Sequence, residues 1–368
     1  MNVPFVDLKM QYQSIKNEID IAIENVITET AFIGGKYVNQ FEKDFATLYG
    51  VKHCISCANG TDSLFIIMKM LGIGNGDEVI TVANSWISSS ETISQTAARP
   101  VFVDIDKDFY SINEKLIEEK ITAKTKAIMP VHLQGQMCEI EVIKSICDKH
   151  NLFLIEDCAQ SHLSEYKNIR AGLRGIAASF SFYPGKNLGA YGDAGCIITN
   201  DDALAEKCKM YARHGALIKH QHKIEGINSR LDGLQAAILS AKLPHLIKWT
   251  NQRITNANYY DEVLKDINEI VTPKLRPNAK HTYHLYVIRA KKRDALANYL
   301  KEKGIETAVH YPIPLPMMEA YKYLNYSEKD FPIANQYKDE ILSLPMFPEL
   351  TKDQMNYVAA TIKAFYCK

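Results

Sequence analysis

Short apolar runs alternate with longer helical patterns from residue 51 to residue 158, and this alternation constrains the fold more than any other feature. The apolar runs are KHCISCA, EVITVA, PVFVDID, AIMPVHL and LFLIEDCA. Strands separated by helical segments are typical of βαβ units, whose strands align in parallel. The sequence therefore predicts an α/β protein with a largely parallel sheet.

Beyond residue 160 the pattern changes. SFSFYP and GCIITN read as two strands around a turn, and helical spacing follows at 201–213, 231–243 and 246–267. HTYHLYVIRA and ETAVHYPI read as further strands, RDALANYLKEKG and 351–366 as helices. A chain of 368 residues suggests about two domains. We expect a large domain over 1–245 and a smaller α+β domain over 246–368.

Charge and composition exclude several classes of protein. Lys+Arg 43 balance Asp+Glu 43, which disfavours a strongly basic nucleic-acid binder. No run of apolar residues is long enough to cross a membrane, and the first residues do not resemble a secretory signal. The eight cysteines are scattered and read as reduced thiols. We expect a cytoplasmic protein with neither nucleic-acid nor membrane partners.

Two polar segments are candidates for chemistry. Asp157 and Gln160 follow the apolar run LFLI, at the strand end where parallel sheets bind ligands; a helix cap is the alternative reading of such a carboxylate. Lys186 lies in SFSFYPGKNLGAYGDAGCIIT, a glycine-rich turn between two apolar strands. A solvated turn lysine is the alternative there. However, the apolar strands on both sides anchor the turn in the core, and a buried lysine can have a lowered pKa and form an imine.

Other patterns give no site. Cys54 and Cys57 would point to opposite faces of a strand, so a metal clip is not expected. His220 and His222 have no carboxylate or cysteine at ligand spacing. The glycines of GIGNGD do not open a helix after a strand, as a dinucleotide site requires. We predict no metal site.

Taken together, the motifs resemble those of the DegT-type nucleotide-sugar aminotransferases, which are fold-type I enzymes dependent on pyridoxal 5′-phosphate. The resemblance runs through PFVDLKMQYQSIKNEI, NGTDSL, IEDCAQSH, SFYPGKNLGAYGDAG, GINSRLDGLQAAIL, HYPIPLP and LSLPMFPELT. It covers nearly the whole chain. It implies a large, mostly parallel seven-stranded sheet domain and a smaller α+β C-terminal domain.

The resemblance also implies roles for single residues. Lys186 matches the lysine that holds the cofactor as an imine, and Asp157 matches the carboxylate that pairs with the pyridine nitrogen. Gln160 matches a residue beside the ring hydroxyl. Trp86 matches the aromatic residue that stacks on the cofactor, although a core anchor is the alternative reading.

Four further residues match cofactor contacts. Gly60 and Thr61 follow a strand and open a helix, where backbone N–H groups bind phosphate; an ordinary N-cap is compatible with that role. Ser181 matches another phosphate contact. Asn228 matches a residue that the neighbouring subunit supplies, which implies a homodimer with a shared active site.

By the same resemblance, the expected reaction is transfer of an amino group from L-glutamate to a nucleotide-linked keto sugar. A dTDP-3-keto-6-deoxyhexose is favoured, in deoxysugar biosynthesis of the kind that builds O-antigen lipopolysaccharide. A 4-keto sugar or a UDP-3-keto sugar is the alternative. Gln136 is a candidate for substrate recognition, and Gln134, His220 and Phe347 depart from residues frequent in the family.

Rival functions remain. A dehydratase of the same family would carry histidine in place of Lys186. A non-catalytic regulator on the same scaffold would not need an imine-forming amine. A nicotinamide dehydrogenase would need a glycine-rich strand-to-helix turn, which the sequence lacks.

Overall fold

A seven-stranded sheet forms the centre of the computed structural model, which describes residues 1–367. The strand order is β1-β9-β8-β5-β4-β2-β3. Strand β9 is antiparallel to both of its neighbours, and the other six strands share one direction. The predicted mostly parallel seven-stranded sheet is thereby confirmed. Its strands are β1 (His53–Cys57), β2 (Glu78–Val82), β3 (Arg99–Val103), β4 (Thr125–Met129), β5 (Phe153–Asp157), β8 (Ala177–Ser181) and β9 (Gly195–Thr199).

Two small sheets accompany it. One has the order β10-β12-β13 and is antiparallel, and the other has the order β11-β6-β7. Their strands are β6 (Glu165–Tyr166), β7 (Ile169–Arg170), β10 (Ile270–Val271), β11 (Ala279–Lys280), β12 (Tyr286–Ala290) and β13 (Ile341–Leu344).

Helices cover the sheets. They are α1 (Leu8–Ser14), α2 (Lys16–Thr28), α3 (Gly35–Tyr49), α4 (Gly60–Met70), α5 (Ser88–Gln95), α6 (Ile140–His150), α7 (Asp202–Tyr211), α8 (Gly233–Lys242), α9 (Leu246–Leu264), α10 (Arg293–Glu302), α11 (Pro332–Tyr337) and α12 (Lys352–Tyr366). No helix among residues 1–367 combines the length and the apolar character that a bilayer crossing demands.

Both faces of the large sheet are buried, as parallel sheets require. Phe41, Phe45 and Phe102 belong to the cluster on one side, while Leu64 and Ile67 belong to the cluster on the other. Cys54 and Cys57 join different clusters, in agreement with their predicted orientation to opposite faces of β1.

A separate core forms around the β10-β12-β13 sheet, where Tyr260, Tyr286 and Val358 are buried. Val3, from the start of the chain, packs into this core. Conversely, part of segment 315–337, which follows residue 245 in the chain, packs into a core cluster of the large sheet. Residues from each side of residue 245 thus pack into the core of the other side. A division into two domains at residue 245 remains a prediction.

One predicted strand is wrong. Residues 306–313 form no regular strand; a single bridge joins Ala308 to Ser343. Pro312 lies in this segment and Pro314 follows it, and proline has no N–H to donate to a sheet ladder. The segment instead brings Tyr311 toward the end of β5, as described below.

Candidate active site

Asp157 lies at the end of β5 and is only 4% exposed. Its Oδ2 accepts a hydrogen bond from Ser89 Oγ at 3.0 Å, and its Oδ1 accepts one from the Ala159 N–H at 3.1 Å. Burial raises the pKa of this carboxyl, while these bonds and the charge of Lys186 oppose the rise. A carboxylate can accept about four hydrogen bonds, so Asp157 retains capacity for a cationic partner.

Lys186 lies in the connection between β8 and β9, where its own N–H donates to the Tyr183 carbonyl at 2.8 Å. The residue is half-buried. Burial lowers the pKa of its amine from 10.5 to about 8, and the negative charge of Asp157 opposes that shift. An amine with this pKa has a substantial unprotonated fraction near neutral pH and can act as a nucleophile or base.

Three buried histidines lie close enough to Lys186 for its positive charge to affect them. Burial, and secondly the charge of Lys186, lowers the pKa of His162 to about 3 and that of His310 to about 4. The pKa of His284 is also lowered well below its usual value, first by burial. These imidazoles are neutral at physiological pH and add no positive charge beside Lys186, and Asp157 is the carboxylate whose charge acts on its amine.

Gly60, Thr61 and Ser181 come together where β1 ends and α4 begins. Gly60 is the first residue of α4, and a Cβ placed on it would lie 2.7 Å from Ser181 Cβ. Thr61 Oγ1 lies 2.7 Å from Ser88 Oγ. Asn59 caps the helix by accepting the Asp62 N–H at 2.7 Å, so the N-cap reading and the phosphate reading coexist. The amino end of α4 thus offers N–H groups to an anion beside a serine hydroxyl.

Gln160 connects the end of β5 to an aromatic pair. Its Nε2 donates to Tyr311 Oη at 3.1 Å, and its Oε1 accepts the Gln134 N–H at 2.6 Å. The Tyr311 ring lies 5.9 Å from the Trp86 ring, centroid to centroid. Trp86 is 59% exposed, which excludes the alternative of a buried core anchor.

Asn228 stands apart from the other predicted residues. It is exposed and pairs through its backbone with Arg213. Within residues 1–367 no hydrogen bond or ring contact joins it to Lys186 or Asp157. Its role as a contact supplied to a neighbouring subunit stays a prediction.

A second buried carboxylate lies beside the site, at Glu156. It accepts the N–H groups of Gly172, Arg174 and Gly175 and contacts His132 Nε2 at 2.8 Å. Nδ1 of His132 accepts the Cys138 N–H at 3.1 Å, so both imidazole nitrogens have partners.

Glu156, His132 and Cys158 lie close enough together to resemble a metal cluster. Burial raises the pKa of the Cys158 thiol well above its usual value. The internal hydrogen bonds give this cluster a structural role.

Sequence reasoning missed two residues at the site, Ser89 and Tyr311. Ser89 is one of three consecutive serines, and nothing in the pattern distinguishes it from Ser88 or Ser90. Tyr311 lies within HYPIPLP, one of the motifs that carry the family resemblance, so the sequence could have pointed to it.

Gln136, a candidate for substrate recognition, is tied to the chain itself. Its Oε1 accepts the Arg276 N–H at 2.7 Å and its Nε2 donates to the Lys274 carbonyl at 3.1 Å. Both ends of its amide are therefore occupied by backbone groups.

The residues present fit pyridoxal phosphate. The amino end of α4 beside Ser181 suits a phosphate, Asp157 has spare acceptor capacity for a protonated ring nitrogen, and Lys186 provides an amine of lowered pKa. Together they would hold the phosphate, the ring nitrogen and the aldehyde carbon of the cofactor, as the resemblance implies.

Comparison with known proteins agrees with this geometry. Residues 13–363 match the model of the DegT/DnrJ/EryC1/StrS aminotransferase family. The chain is 47% identical over 368 residues to a "Pleiotropic regulatory protein" of Geobacillus stearothermophilus, covering 100% of this chain and 99% of that protein. It is 43% identical over 363 residues to a "dTDP-3-amino-3,6-dideoxy-alpha-D-galactopyranose transaminase" of Aneurinibacillus thermoaerophilus, covering 99% of each.

Among solved structures, the fold superposes with a TM-score of 0.97 on S. venezuelae DesV in complex with a ketimine intermediate. The two are 36% identical, and the match covers 100% of this chain and 99% of that one. The fold-type I architecture and the dependence on pyridoxal phosphate expected from the sequence are confirmed. The chain belongs to the DegT/DnrJ/EryC1/StrS aminotransferase family.

Proposed function

We propose that this enzyme transfers an amino group from L-glutamate to a nucleotide-linked keto sugar, with a dTDP-3-keto-6-deoxyhexose as the favoured acceptor. The observation that carries the reaction class is the Lys186 amine of lowered pKa, on which the charge of the buried Asp157 carboxylate acts. The 43% identity to a dTDP-3-amino sugar transaminase supports the acceptor class. Amination of a 4-keto sugar or of a UDP-3-keto sugar is the alternative on the same chemistry.

When bound, pyridoxal phosphate supplies an electrophilic carbon and an electron-accepting ring. Lys186 would hold the cofactor in the resting enzyme. During the reaction the Lys186 amine would accept the proton that leaves the substrate carbon and return it to the product. Its lowered pKa, about 8, lets the amine accept and return that proton near neutral pH.

Asp157 would keep a proton on the ring nitrogen. An anionic neighbour favours the charged form of a cationic group, and the buried carboxylate has few competing donors. Ser89 and the Ala159 N–H hold its two oxygens in place. Gly60, Thr61 and Ser181 would bind the phosphate, Gln160 would lie beside the ring hydroxyl, and Trp86 would cover the ring face.

A homodimer is part of this proposal. Asn228 is exposed, and large apolar side chains are exposed at Phe32, Ile33 and Ile218. Burial of such side chains against a second copy would remove apolar surface from water. Light scattering on the purified protein measures its mass and tests the dimer. A cytoplasmic location remains a separate prediction.

A regulatory role is the second candidate, because the relative at 47% identity is named as a regulatory protein. A regulator would have no need of an amine with a lowered pKa opposite a buried carboxylate. Turnover with a keto sugar distinguishes the two functions directly.

The test is a panel of dTDP-, UDP- and GDP-linked 3-keto and 4-keto sugars, each incubated with L-glutamate and analysed by mass spectrometry and NMR. We expect an amino sugar from a dTDP-3-keto-6-deoxyhexose, and a loss of about a hundredfold to ten-thousandfold in the rate of its formation with Lys186→Ala. No amino sugar from any member, or equal product with Lys186→Ala, would contradict the proposal.

A further inference from the structure

Lys242, the last residue of α8, is buried to 1% exposure although it makes no ion pair within residues 1–367. Its Nζ donates to the Gly189 carbonyl at 2.7 Å and lies 4.2 Å from the centroid of the Tyr191 ring. Burial lowers the pKa of this ammonium to about 8, and the charge of Glu349, which forms no ion pair with it, opposes that shift. The role of this buried ammonium is therefore best sought in its two contacts, with the Gly189 carbonyl and the Tyr191 ring.

Both groups that Lys242 contacts belong to the connection that carries Lys186. Residues 182–194 leave β8 and return to β9, and Lys186 lies three residues before Gly189. The connection closes tightly, because a Cβ on Gly189 would lie 2.2 Å from the Pro184 carbonyl oxygen. A displacement of Gly189 would therefore push directly on the turn that contains Lys186.

Helix α8 holds the same connection at a second point. Gln235 Oε1 accepts the Tyr191 N–H at 2.8 Å. The outer side of Tyr191 meets Tyr12 of α1 in an edge contact, with ring centroids 6.3 Å apart. The Tyr191 ring thus contacts both the Lys242 ammonium and the Tyr12 ring. Lys242 is the residue that also donates a hydrogen bond to the Gly189 carbonyl of the loop.

We propose that Lys242 is a positioning residue for Lys186, fixing the Gly189 carbonyl and with it the loop from which the reactive amine extends. The inference rests on the proposed function, in which Lys186 captures the cofactor. Lys242 touches neither cofactor nor substrate in this role. It acts only through the loop.

The test measures how fast the full-length chain, freed of cofactor, captures pyridoxal phosphate, read as the borohydride-reducible visible band. The variant is Lys242→Met, which keeps the length of the side chain and removes the donor. Lys248→Met, an exposed lysine on α9, is the matched control. Thermal unfolding and circular dichroism monitor folding.

We expect capture to slow at least about tenfold in Lys242→Met, because small displacements of a reacting group have large effects on rate. The control should match the wild type, and Lys242→Arg should recover part of the rate because it restores a cationic donor. A folded Lys242→Met variant that captures cofactor at the wild-type rate would overturn the inference, as would a Lys242→Arg variant no faster than Lys242→Met.

If Lys242→Met does not fold, Lys242→Gln takes its place, since its shorter, neutral side chain also removes the ammonium that donates to the Gly189 carbonyl. Slower capture would then support the inference, and wild-type capture would overturn it. A wild-type chain that captures no cofactor would instead refute the proposed function, so the two failures are distinguishable.

Discussion

Glu156 and Asp157 are consecutive residues at the end of one strand, yet their surroundings differ sharply. Consecutive strand residues point to opposite faces of a sheet. Glu156 accepts three backbone N–H groups and contacts His132. Asp157 accepts one backbone N–H and one serine hydroxyl. Both are buried, at 0% and 4% exposure.

The difference shows how a buried carboxylate reveals its role. A carboxylate with all its acceptor sites occupied holds the chain in place, and Glu156 fixes residues 172–175 in this way. A carboxylate with vacant acceptor sites has capacity for a ligand. Burial raises the pKa of Asp157, whereas the internal hydrogen bonds of Glu156 lower its pKa against the opposing effect of burial.

The strongest test of this contrast is Asp157→Asn. The amide preserves size and removes the charge that would hold the ring nitrogen protonated. We expect kcat to fall about a thousandfold, in the range found for removal of a preorganised electrostatic contact, while the thermal midpoint stays close to that of the wild type. A variant that keeps more than a tenth of wild-type kcat would show that the charge of Asp157 is not needed for the reaction and would contradict the distinction from Glu156.

Glu156→Gln should have the opposite profile. The amide cannot accept all the N–H groups that the carboxylate accepts, and removing one partner of a buried charged network costs about 3 kcal/mol of unfolding free energy. Denaturant titration measures that loss. The fraction that remains folded should still bind cofactor, and a variant with unchanged stability would show that the Glu156 network is dispensable.

Ser89→Ala tests the Asp157 site by removing one of the two groups that donate a hydrogen bond to its carboxylate. Ser89 gives Asp157 one of its two hydrogen bonds, and a hydrogen bond to a charged group contributes about 1.5 kcal/mol or more. We expect kcat/KM to fall about tenfold. Ser90→Ala is the matched neighbour, because Ser90 bonds to the Ile87 carbonyl and to Tyr321, and it should leave kcat/KM unchanged.

The pH dependence of cofactor capture gives the smallest effect. The pKa of Lys186 is lowered to about 8, so its reactive, unprotonated fraction rises about fivefold between pH 7 and pH 8 and then levels off. Stopped-flow absorbance measures this profile. A rate that kept rising tenfold per pH unit beyond pH 9 would indicate an ordinary lysine and contradict the lowered pKa.

Much of the sheet could be predicted from the sequence because its strands are continuous apolar runs between helical patterns. The two-residue strands β6, β7, β10 and β11 are too short to leave a periodic signal. Residues 306–313 resembled a strand because apolar residues dominate, but tertiary contacts and prolines decide their course. Strand order and the antiparallel direction of β9 depend on contacts distant in sequence.

The candidate site divides in the same way. Asp157, Gln160 and Lys186 stand in motifs with distinctive spacing, so sequence could identify them. Ser89 could not be found, since its role depends on which of three serines faces Asp157 across the sheet edge. Only the fold shows that Gln136 is bonded to the backbone at both ends of its amide.

The central claim is that Lys186 carries the cofactor opposite Asp157. Reduction of the purified, cofactor-loaded protein with borohydride, followed by proteolysis and peptide mass mapping, tests it directly. We predict that the phosphopyridoxyl mass appears on the peptide containing Lys186 and nowhere else in stoichiometric amount. Stoichiometric label on any other lysine, with the Lys186 peptide unmodified, would contradict the account.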